Sequence, residues 1–576
     1  MKVGVYICHC GINIADHVDV EAVRRFAERE PHVVISRTYT YMCSDPGQEL
    51  IMKDIEEKHL DRVVVAACSP TMHERTFRQV VSRSGLNPYF LEIANIREHC
   101  SWVHADAARA TQKAKDLVSA AMAKAMLLEP LESQERGITA ASLVIGGGIA
   151  GIQTALDIAA SGFRVFLIER EPRLGGHVAG LNRTFPYLED ARQLIEPKID
   201  ALVRDPRIDV MVRSEVTSVE GSVGDFRVEI RTRPETRLDS NDQERVEQIE
   251  VGTIVVATGH DIFDPTEKTE LGYGRYDRVI TASEFERLTS PDGPTGGALR
   301  IGEKVPQTIG FIHCVGSRDK KVGHEYCSRV CCTYTAKQAL WVREHLPDTE
   351  VTVFYIDVRT FGKGYEELYE RAQKKGAIYK KGVPSEIFRR SDRVVVRGED
   401  ALLGEPYEKE VDLVVLATGL VPSRAAQPLR NLLKLSLSPD GFFMEVHPKL
   451  RPLDTASDGI FLAGTCQGPK DIADTLAQAH GAASRATTTL FQGKVQIDPV
   501  VAFIDPEICS GCGLCEKVCE YSALTLNPYR RVMTINTAVC KGCGACNSVC
   551  PVGAISLRHF KPDQIMAQVD ALCPGR

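Results

Sequence analysis

The C-terminal part of the sequence carries two runs of four cysteines whose spacing suits iron–sulfur ligation. In each run two residues separate the first three cysteines, and the fourth cysteine follows after three more. Three thiolates on one short loop can bind three irons of a [4Fe-4S] cluster, and the fourth cysteine of each run then binds the other cluster. A pair of zinc sites is the alternative, but zinc spacing usually gives cysteine pairs. The spacing predicts one cluster on Cys509, Cys512, Cys515 and Cys550, and a second on Cys540, Cys543, Cys546 and Cys519.

A second pattern is a glycine-rich turn between a predicted strand and a predicted helix. Gly146, Gly148 and Gly151 form the spacing G-x-G-x-x-G. Backbone amides in such a turn, together with the N-terminus of the helix, bind a pyrophosphate. Glu169 ends the next predicted strand about twenty residues later, where an acid can bind ribose hydroxyls. A turn that serves only packing is the alternative, yet strand, helix and acid all stand at the spacing of a dinucleotide site.

A second glycine unit departs from this pattern in a way that changes its chemistry. The segment Thr308–Ser317 repeats the strand-then-glycine arrangement, but the first glycine of the fingerprint is absent and Cys314 occupies the turn. Cys327, Cys331 and Cys332 follow, so four thiolates stand near one strand end. They predict a further [4Fe-4S] cluster where the phosphate of a nicotinamide nucleotide would otherwise lie. A redox-active disulfide is the alternative, although the C-x-x-C spacing is absent.

The N-terminal region has cysteines that each follow a predicted strand or begin a predicted helix. In a doubly wound sheet the C-terminal ends of the strands meet at one edge, so four thiolates there could hold a cluster. We expect the ligands to be Cys10, Cys43, Cys68 and Cys100. Cys8 is then the spare cysteine, with Cys8 and Cys10 as alternatives for one place. Buried free cysteines are the other interpretation.

Composition excludes several classes of protein. The chain has 576 residues, 43% hydrophobic and 26% charged, with a formal net charge of −7; these values suit a globular protein of about three or four domains. The mild acidic balance argues against nucleic-acid binding. The 19 cysteines are too sparse for a disulfide scaffold and are clustered, which favours metal ligation. No signal peptide is predicted, because the apolar run at the N-terminus is short and no small-residue cleavage site follows. No membrane span is predicted, because glycines interrupt the most hydrophobic window, 140–163, and we expect a cytoplasmic protein.

The predicted elements distribute these sites over an α/β chain. Residues 1–135 form a small doubly wound α/β iron–sulfur domain that ends in a connecting helix, Ala105–Leu128. Residues 136–496 contain two strand–glycine units, which indicates two dinucleotide-type subdomains with the second, at about 300–420, inserted into the first. A charged excursion occupies 232–250. Residues 497–560 hold the two C-terminal cysteine runs, and 561–576 form a tail.

Residues 136–496 resemble the thioredoxin-reductase-like two-dinucleotide flavoproteins, which bind FAD through this glycine fingerprint. In that family Ala-Thr-Gly strands return the chain between subdomains, and the last flavin contact is a strand-Gly followed by a helix that points at the isoalloxazine ring. Phe461–Gly464 and the helix near Lys470 fit that place, with a solvated Lys470 as the alternative to a charge beside the ring. The resemblance implies a FAD site, with Val216 as the adenine contact, formed by Gly146, Gly148, Ile149, Ala150, Gly151, Glu169, Arg170, Gly175, Gly176, His177, Val216, Ala257, Thr258, Gly259, Gly464, Lys470, Asp471, Ile472 and Ala473.

The whole chain resembles the A-type subunit of heterodisulfide reductase, which ends in a two-cluster ferredoxin domain. The resemblance rests on four strings that are specific to that family: Tyr6–Ile14, Tyr41–Glu49, Ala66–Pro70 and Ala94–Cys100. Some members carry an additional ferredoxin insert in the flavin domain. The matching excursion, 232–250, has no cysteine, so we expect this chain to lack that insert.

The resemblance implies an oxidoreductase that performs flavin-based electron bifurcation. The four cysteine groups predict four [4Fe-4S] clusters per chain, with one FAD. Electrons from a two-electron donor would be divided between a higher-potential acceptor and a low-potential carrier such as ferredoxin. The implied partners, around a homodimeric core and without nucleic acid or membrane span, are B- and C-type subunits, ferredoxin and an electron-input subunit of the hydrogenase, formate dehydrogenase or NADH-oxidising type. Alternatives are a non-bifurcating subunit that feeds a low-potential reductase, such as a benzoyl-CoA reductase complex, and a cluster-carrying assembly scaffold. No residue is expected to act as a catalytic acid or nucleophile, because the protein sets position and potential.

Overall fold

The computed structural model describes residues 1–234 and 244–573. These residues form two compact units, one made of Met1–Glu135 together with the chain from Gln496 onward, and the other of Arg136–Val495. The central part of the charged excursion expected at 232–250 lies outside the described residues. Within the described ranges, no helix combines the length and the apolar character needed to cross a membrane.

The N-terminal part has a four-stranded parallel sheet with helices on both faces, as the alternating pattern predicts. The strand order is β2-β1-β3-β4, with α1 and α4 packed on one face and α2 and α3 on the other. Helix α4 begins at the cap Asp106, and its Ala110, Ala114 and Val118 are fully buried against the sheet. It is therefore a layer of this fold rather than only a connector. The elements are β1 (Val3–Cys8), α1 (Val20–Ala27), β2 (Val33–Tyr39), α2 (Asp45–Lys58), β3 (Arg62–Ala67), α3 (Pro70–Arg83), β4 (Leu91–Asn95) and α4 (Ala107–Ala125).

The second unit begins with a five-stranded parallel sheet and a three-stranded antiparallel sheet. The parallel order is β23-β12-β6-β7-β8, where β23 is Ile460–Leu462, and the antiparallel order is β11-β10-β9. The parallel strands are apolar on both faces because helices and the antiparallel sheet cover them. Two strands of the parallel sheet, β12 and β23, arrive from distant sequence. The elements of this part are β5 (Gln134–Gly137), β6 (Ala141–Ile145), α5 (Ile149–Ala160), β7 (Arg164–Ile168), α6 (Ala191–Arg204), β8 (Ile208–Met211), β9 (Ser214–Ser222), β10 (Asp225–Thr232), β11 (Arg245–Val251), β12 (Thr253–Val256) and β13 (His260–Ile262).

The inserted part has its own five-stranded parallel sheet, of order β14-β21-β15-β16-β17, and an antiparallel sheet of order β18-β19-β20. It starts at β14, earlier than the expected residue 300, and the ribbon β13-β22 joins it to the first part. The elements are β14 (Val279–Thr281), α7 (Ala282–Thr289), β15 (Thr308–Val315), α8 (Cys331–His345), β16 (Glu350–Tyr355), α9 (Tyr365–Lys374), β17 (Ala377–Lys381), β18 (Glu386–Arg390), β19 (Arg393–Asp400), β20 (Glu405–Val411), β21 (Leu413–Thr418), β22 (Leu420–Pro422), α10 (Ala426–Leu433), β23 (Ile460–Leu462), α11 (Ile472–Phe491) and β24 (Lys494–Ile497).

The C-terminal part is small, with two-stranded sheets, two one-turn helices and a final helix. Strand β25 pairs with β28 and strand β26 with β27. Each cysteine run contains one of the two one-turn helices. The predicted α/β class with a C-terminal two-cluster domain is confirmed. The elements are β25 (Ala502–Ile504), α12 (Leu514–Lys517), β26 (Leu524–Asn527), β27 (Val532–Ile535), α13 (Ala545–Ser548), β28 (Ile555–Leu557) and α14 (Pro562–Leu572).

Candidate functional site

The glycine turn between β6 and α5 has the geometry of a phosphate-binding turn. Gly146 has a φ of +115°, and a Cβ there would lie 2.4 Å from the Ala257 carbonyl oxygen. A Cβ on Gly151 would lie 1.8 Å from the Gly146 carbonyl oxygen, so only glycine lets α5 begin this close to the strand. A Cβ on Gly148 would meet no atom of the described chain within 4 Å. The turn therefore faces open space, where its amides could bind a pyrophosphate.

The predicted second glycine pair forms the other wall of this groove. The Gly175 amide donates to the Gly147 carbonyl oxygen over 2.8 Å, and a Cβ on Gly176 would lie 3.1 Å from the Gly148 Cα. The carboxylate of Glu169, at the end of β7, accepts hydrogen bonds from the Gly147 amide over 2.6 Å and from a second backbone amide. Glu169 thus holds the glycine turn, and its remaining lone pairs are available to a ribose.

The predicted isoalloxazine end lies where the chain leaves β23. A Cβ on Gly464 would lie 2.8 Å from the Ala150 Cβ, which brings this strand end to the N-terminus of α5. Lys470 contacts this segment: its ammonium group donates to the carbonyl oxygens of Gly464 and Gly468, each over 2.8 Å. Burial lowers the pKa of Lys470 to about 8. The ammonium group of Lys470 is thus partly buried and held by backbone carbonyl oxygens.

The N-terminus of α11 supplies the remaining predicted contacts of this end. Asp471 caps the helix by accepting the Asp474 amide over 2.8 Å, and its other carboxylate oxygen accepts from the Tyr365 hydroxyl over 2.5 Å. Ile472 and Ala473 are the first helical residues, and amides at such positions lack partners within the helix. The positive end of the helix dipole favours a negative charge beside it.

A stacked histidine pair lies at the same end, and the sequence pointed only to His177. The rings of His177 and His260 have centroids 4.4 Å apart and planes 16° apart. His177 Nε2 donates to the His260 carbonyl oxygen over 2.9 Å, and His260 Nδ1 lies 2.9 Å from the Thr465 hydroxyl. Burial, followed by the charges of His177 and Lys470, lowers the pKa of His260 to about 3. The position of His260 directly after the Ala257–Gly259 strand end is the signal that could have revealed it.

The other predicted flavin residues differ in their surroundings. The hydroxyl of Thr258 is buried and has no hydrogen-bond partner within the described residues, so it offers a donor and an acceptor to a ligand. Arg170 is half exposed, 3.8 Å from the Asp261 carboxylate. Val216, on β9, packs against the hydrophobic layer between the antiparallel sheet and the parallel sheet.

The structure brings Cys314, Cys327, Cys331 and Cys332 together near the C-terminal end of β15. Cys314 has a φ of +59°, a backbone conformation that favours glycine. Its thiol is hydrogen-bonded to that of Cys331, and Cys327 and Cys332 also interact electrostatically with Cys331. Cys331 and Cys332 begin α8, so their thiols occupy the helix N-terminus that would otherwise bind a pyrophosphate. Burial raises the pKa of Cys332 to about 11, and metal coordination would deprotonate it.

At the N-terminal sheet edge the structure brings together Cys8 and three of the four predicted cysteines. Cys8 Sγ accepts hydrogen bonds from the amides of Cys10 over 3.3 Å and Met42 over 3.4 Å. Burial raises the pKa of Cys68 to about 11, and the thiols of Cys10 and Cys8 act in the same direction. Burial also raises the pKa of Cys43, with Cys10 again adding to the effect.

Cys100 is the predicted ligand that the structure separates from this group. Its thiol donates to the Ala110 carbonyl oxygen on α4 over 3.0 Å, and its side chain is fully buried in the layer between the sheet and α4. Cys8 lies in the opposite layer, with α2 and α3. A π-helical turn, Arg97–Ser101, follows β4 and carries Cys100 to that side. The structure thus places Cys8, and not the expected Cys100, beside Cys10, Cys43 and Cys68.

Arg97 accompanies the N-terminal cysteines and was not identified from the sequence. Its guanidinium group donates to Cys10 Sγ over 3.4 Å and to Met72 Sδ over 3.0 Å, and it lies 4.7 Å from the centre of the Trp102 ring. A cation that donates to a ligand sulfur raises the reduction potential of a cluster. The only sequence signal was its place inside the Ala94–Cys100 string.

Each C-terminal cysteine run lines a cavity that is completed by the fourth cysteine of the other run. In the described parts of the chain no three Cys, His, Asp or Glu side chains converge on the position of one metal ion, and these cysteines surround cavities instead. Backbone amides donate to Cys509 and Cys519 Sγ over 3.4 and 3.3 Å, the type of hydrogen bond that tunes cluster potential. The two cavities are lined by Cys509, Cys512, Cys515 and Cys550, and by Cys519, Cys540, Cys543 and Cys546.

Comparisons with known proteins match the same two regions. Residues 141–486 match the pyridine nucleotide-disulphide oxidoreductase family, and residues 502–557 match the 4Fe-4S dicluster domain. Among solved structures, thioredoxin reductase of T. acidophilum aligns with a TM-score of 0.41 and 17% identity, over 62% of this chain and 99% of its own.

Two curated relatives align along most of the chain. The A-type subunit of the H2:CoB-CoM heterodisulfide,ferredoxin reductase of Methanothermobacter marburgensis is 46% identical over 99% of this chain and 97% of its own. An A-type iron-sulfur subunit of the CoB–CoM heterodisulfide reductase of Methanopyrus kandleri is 47% identical over 91% of each chain. The matched domains carry flavin and iron–sulfur electron-transfer chemistry. The chain is an oxidoreductase and belongs to the family of A-type subunits of heterodisulfide reductase.

Proposed function

We propose that this chain is the electron-transfer subunit of a heterodisulfide-reductase-like complex and performs flavin-based electron bifurcation. The observation that carries the proposal is the group of four cysteines at the start of α8. In a nucleotide-dependent reductase that helix end would bind a pyrophosphate. A one-electron carrier there, in the same compact unit as the flavin groove, favours electron exchange with partner proteins over hydride transfer from a nucleotide.

The groove has the features that FAD needs. The open space at Gly148, the glycine pair at 175–176 and the unpartnered hydroxyl of Thr258 offer amides, close approach and a hydrogen bond. Bound FAD supplies the exchange between two-electron and one-electron transfer. Lys470 and the N-terminus of α11 hold positive charge at the groove end, beside the neutral His260 ring.

We further propose four [4Fe-4S] clusters, one on each four-cysteine group. The N-terminal group uses Cys8 rather than Cys100, since Cys8 contacts the Cys10 amide and Cys100 lies in the opposite layer. The crossed pairing of Cys519 and Cys550 is supported by the lining of the two C-terminal cavities. No side chain has to form a bond to a substrate, because the clusters are one-electron carriers whose potentials the protein sets.

The proposed partners are B- and C-type subunits, ferredoxin and an electron-input subunit. The name of the Methanothermobacter relative contains ferredoxin and the CoB–CoM heterodisulfide, and that of a Methanosarcina acetivorans relative, 40% identical over 91% of this chain, contains ferredoxin and F420H2. We assign the same chemical classes, a low-potential iron–sulfur carrier and a higher-potential disulfide-type acceptor, to this chain. A homodimeric core and a cytoplasmic location belong to the same proposal.

A non-bifurcating electron-transfer subunit, such as one that feeds a benzoyl-CoA reductase, is the second candidate. It is favoured by the hairpin of β10 and β11, whose register pairs Thr232 with Arg245. So few intervening residues cannot form an additional ferredoxin domain. The alignment with the Methanothermobacter relative spans 642 positions, so that relative carries insertions absent from this chain. A chain without the ferredoxin insert has fewer clusters than members that carry it, and therefore fewer routes by which electrons can leave the flavin.

The test is anaerobic turnover of the complex that copurifies with the tagged chain. With the physiological two-electron donor, we expect ferredoxin reduction only when a higher-potential disulfide acceptor is present, with equal numbers of electrons in each product. Ferredoxin reduction that proceeds without the second acceptor supports the non-bifurcating candidate instead. A matched complex that carries Cys327→Ser should still bind FAD but should lose both reductions.

A further inference from the structure

Arg329 links the cysteine loop of the inserted subdomain to the flavin end of α11. It lies between two predicted cluster ligands, Cys327 and Cys331, and its amide donates to Cys327 Sγ over 3.4 Å. Its φ of +63° is uncommon for a residue with a side chain. That conformation persists only when surrounding contacts determine it. The backbone of Arg329 is therefore part of the cysteine site.

The side chain of Arg329 reaches the other cofactor region. Its guanidinium group donates to the Asp474 carboxylate over 2.6 Å and lies 4.9 Å from the centre of the Phe361 ring. Asp474 stands in the first turn of α11, directly after the predicted flavin contacts Lys470–Ala473. One residue thus touches a cluster ligand with its backbone and the flavin helix with its side chain.

A second contact joins the same two parts. The hydroxyl of Tyr365, the first residue of α9, donates to the capping residue Asp471 of α11 over 2.5 Å. Tyr365 contacts α11 at its cap, Asp471, and Arg329 contacts it three residues later at Asp474, in the first turn. The flavin helix is therefore held at two points by the subdomain that carries the cysteine group.

We propose that Arg329 is a positioning residue that fixes the distance between the flavin and the cluster of Cys314, Cys327, Cys331 and Cys332 through its contact with Asp474. The step that it serves moves one electron between these two groups, so the electron lost by one is the electron gained by the other and no further reactant is needed. The inference rests on the proposed function, because it requires both cofactors in this unit.

Arg318 provides a matched control. It is also an arginine of the cysteine loop, and its charge faces Cys314 and Cys327. Its guanidinium group pairs with Asp357 over 2.9 Å, on the segment after β16 rather than on α11. Replacing Arg318 therefore removes a positive charge that faces two sulfurs of the group and leaves the contact with the flavin helix intact.

The experiment compares Arg329→Gln, Asp474→Asn, the double variant and Arg318→Gln in the holoprotein, after FAD and iron contents have been measured. Photoreduction of the flavin starts electron transfer to the cluster, which is followed by optical and EPR spectroscopy. We expect both single variants to slow the transfer on the order of tenfold or more. The double variant should be no slower than either single variant, since each single substitution already removes the same Arg329–Asp474 contact. Hydrogen exchange of residues 327–334 and of the first turn of α11 should rise together in these variants.

Three outcomes separate the claims. Equal slowing in Arg318→Gln and Arg329→Gln would mean that charge near the sulfurs, not the link, sets the rate, and it overturns the inference. Unchanged transfer and unchanged hydrogen exchange in Asp474→Asn overturn it as well, even if Arg329→Gln fails to assemble its cluster. Absence of FAD or of the Cys314-group cluster from the unmodified chain overturns the proposed function and the inference together.

Discussion

The face of the sheet on which a cysteine side chain lies decides which other cysteines it can reach. Successive side chains of a strand point to opposite faces. Along β1, Tyr6 and Cys8 pack with α2 and α3, whereas Val5 and Ile7 pack with α1 and α4. Cys100 lies with the second set. Two cysteines that both follow strands in the sequence are thus separated by the sheet itself.

Replacing Cys8 with serine is expected to lower the iron content by about four atoms per chain, because the N-terminal cluster loses one of its four thiolates. The same substitution at Cys100 should leave the iron content unchanged, since that thiol donates to the Ala110 carbonyl oxygen in the opposite layer. Iron and acid-labile sulfide analysis of anaerobically purified protein is the measurement. Iron loss in Cys100→Ser together with full iron in Cys8→Ser would restore the ligand set expected from the sequence.

Cys550 should serve the cluster whose other ligands lie in the preceding run. Its side chain lines the same cavity as Cys509, Cys512 and Cys515. We expect Cys550→Ser to change the EPR signal of that cluster and to leave the signal of the Cys540 cluster intact. Cys519→Ser should have the opposite effect, because Cys519 lines the other cavity. Perturbation of the cluster nearest in sequence in each variant would refute the crossed assignment.

At the scale of elements, the turn between β6 and α5 separates glycines needed for folding from glycines needed for a ligand. At Gly146 and Gly151 a Cβ would collide with backbone atoms of the chain. At Gly148 the backbone has an ordinary φ of −77° and a Cβ would meet only open space. The protein itself therefore leaves room for a side chain at Gly148, in the space that a bound pyrophosphate would occupy.

Gly148→Ala should weaken FAD binding roughly tenfold, or about 1.4 kcal/mol, because the added methyl group occupies space that the pyrophosphate needs. The thermal unfolding temperature of the FAD-free protein should not change. Gly180→Ala is the control, since a Cβ there also meets no atom within 4 Å but lies outside the turn. Titration of the apoprotein with FAD, followed by flavin fluorescence, gives both affinities. An unchanged affinity in Gly148→Ala would argue against a phosphate site at this turn.

At the scale of the whole molecule, the two ends of the chain fold into one unit. Lys124 on α4 is fully buried, and its ammonium group contacts the Glu92 carboxylate over 2.9 Å and the Phe560 ring over 4.0 Å. His559 Nε2 lies 3.5 Å from the same carboxylate. The C-terminal residues thus complete the burial of a charge that belongs to the N-terminal sheet layer.

Glu92→Gln should destabilise this unit by about 3 kcal/mol, because it leaves the buried Lys124 charge without its counter-ion. Glu57→Gln is the control, since Glu57 pairs with Lys53 on the surface over 3.7 Å and such pairs contribute about 0.5 kcal/mol or less. Denaturant unfolding followed by circular dichroism measures both changes. Similar stability losses in the two variants would mean that the buried pair contributes little.

The isolated chain should not oxidise NADH or NADPH at a useful rate. Direct oxidation requires a second pyrophosphate site at a glycine turn and a helix N-terminus. Here Cys314 occupies the turn and Cys331 begins the helix. Anaerobic mixing of the FAD-loaded chain with either nucleotide, followed by flavin absorbance, is the test. Rapid, saturable bleaching without partner subunits would contradict the argument that a cluster has replaced the nucleotide.

The sequence alone determined the features whose residues lie close together along the chain. The first three cysteines of each C-terminal run and the Gly146–Gly151 turn each lie within about a dozen residues, so local backbone geometry largely dictates how these groups converge. The strand and helix pattern of the N-terminal domain was predicted for the same reason, because hydrophobic periodicity reports which local structure can bury a face.

Only the tertiary structure decided which distant groups meet. Cys8 and Cys100 are equivalent in pattern, and the packing of α4 against one face of the sheet separates them. The stacking of His177 on His260 joins residues 83 positions apart, and the contact of Arg329 with Asp474 joins residues 145 positions apart. Such contacts depend on how whole layers pack, and packing is a property of shapes that no local pattern encodes.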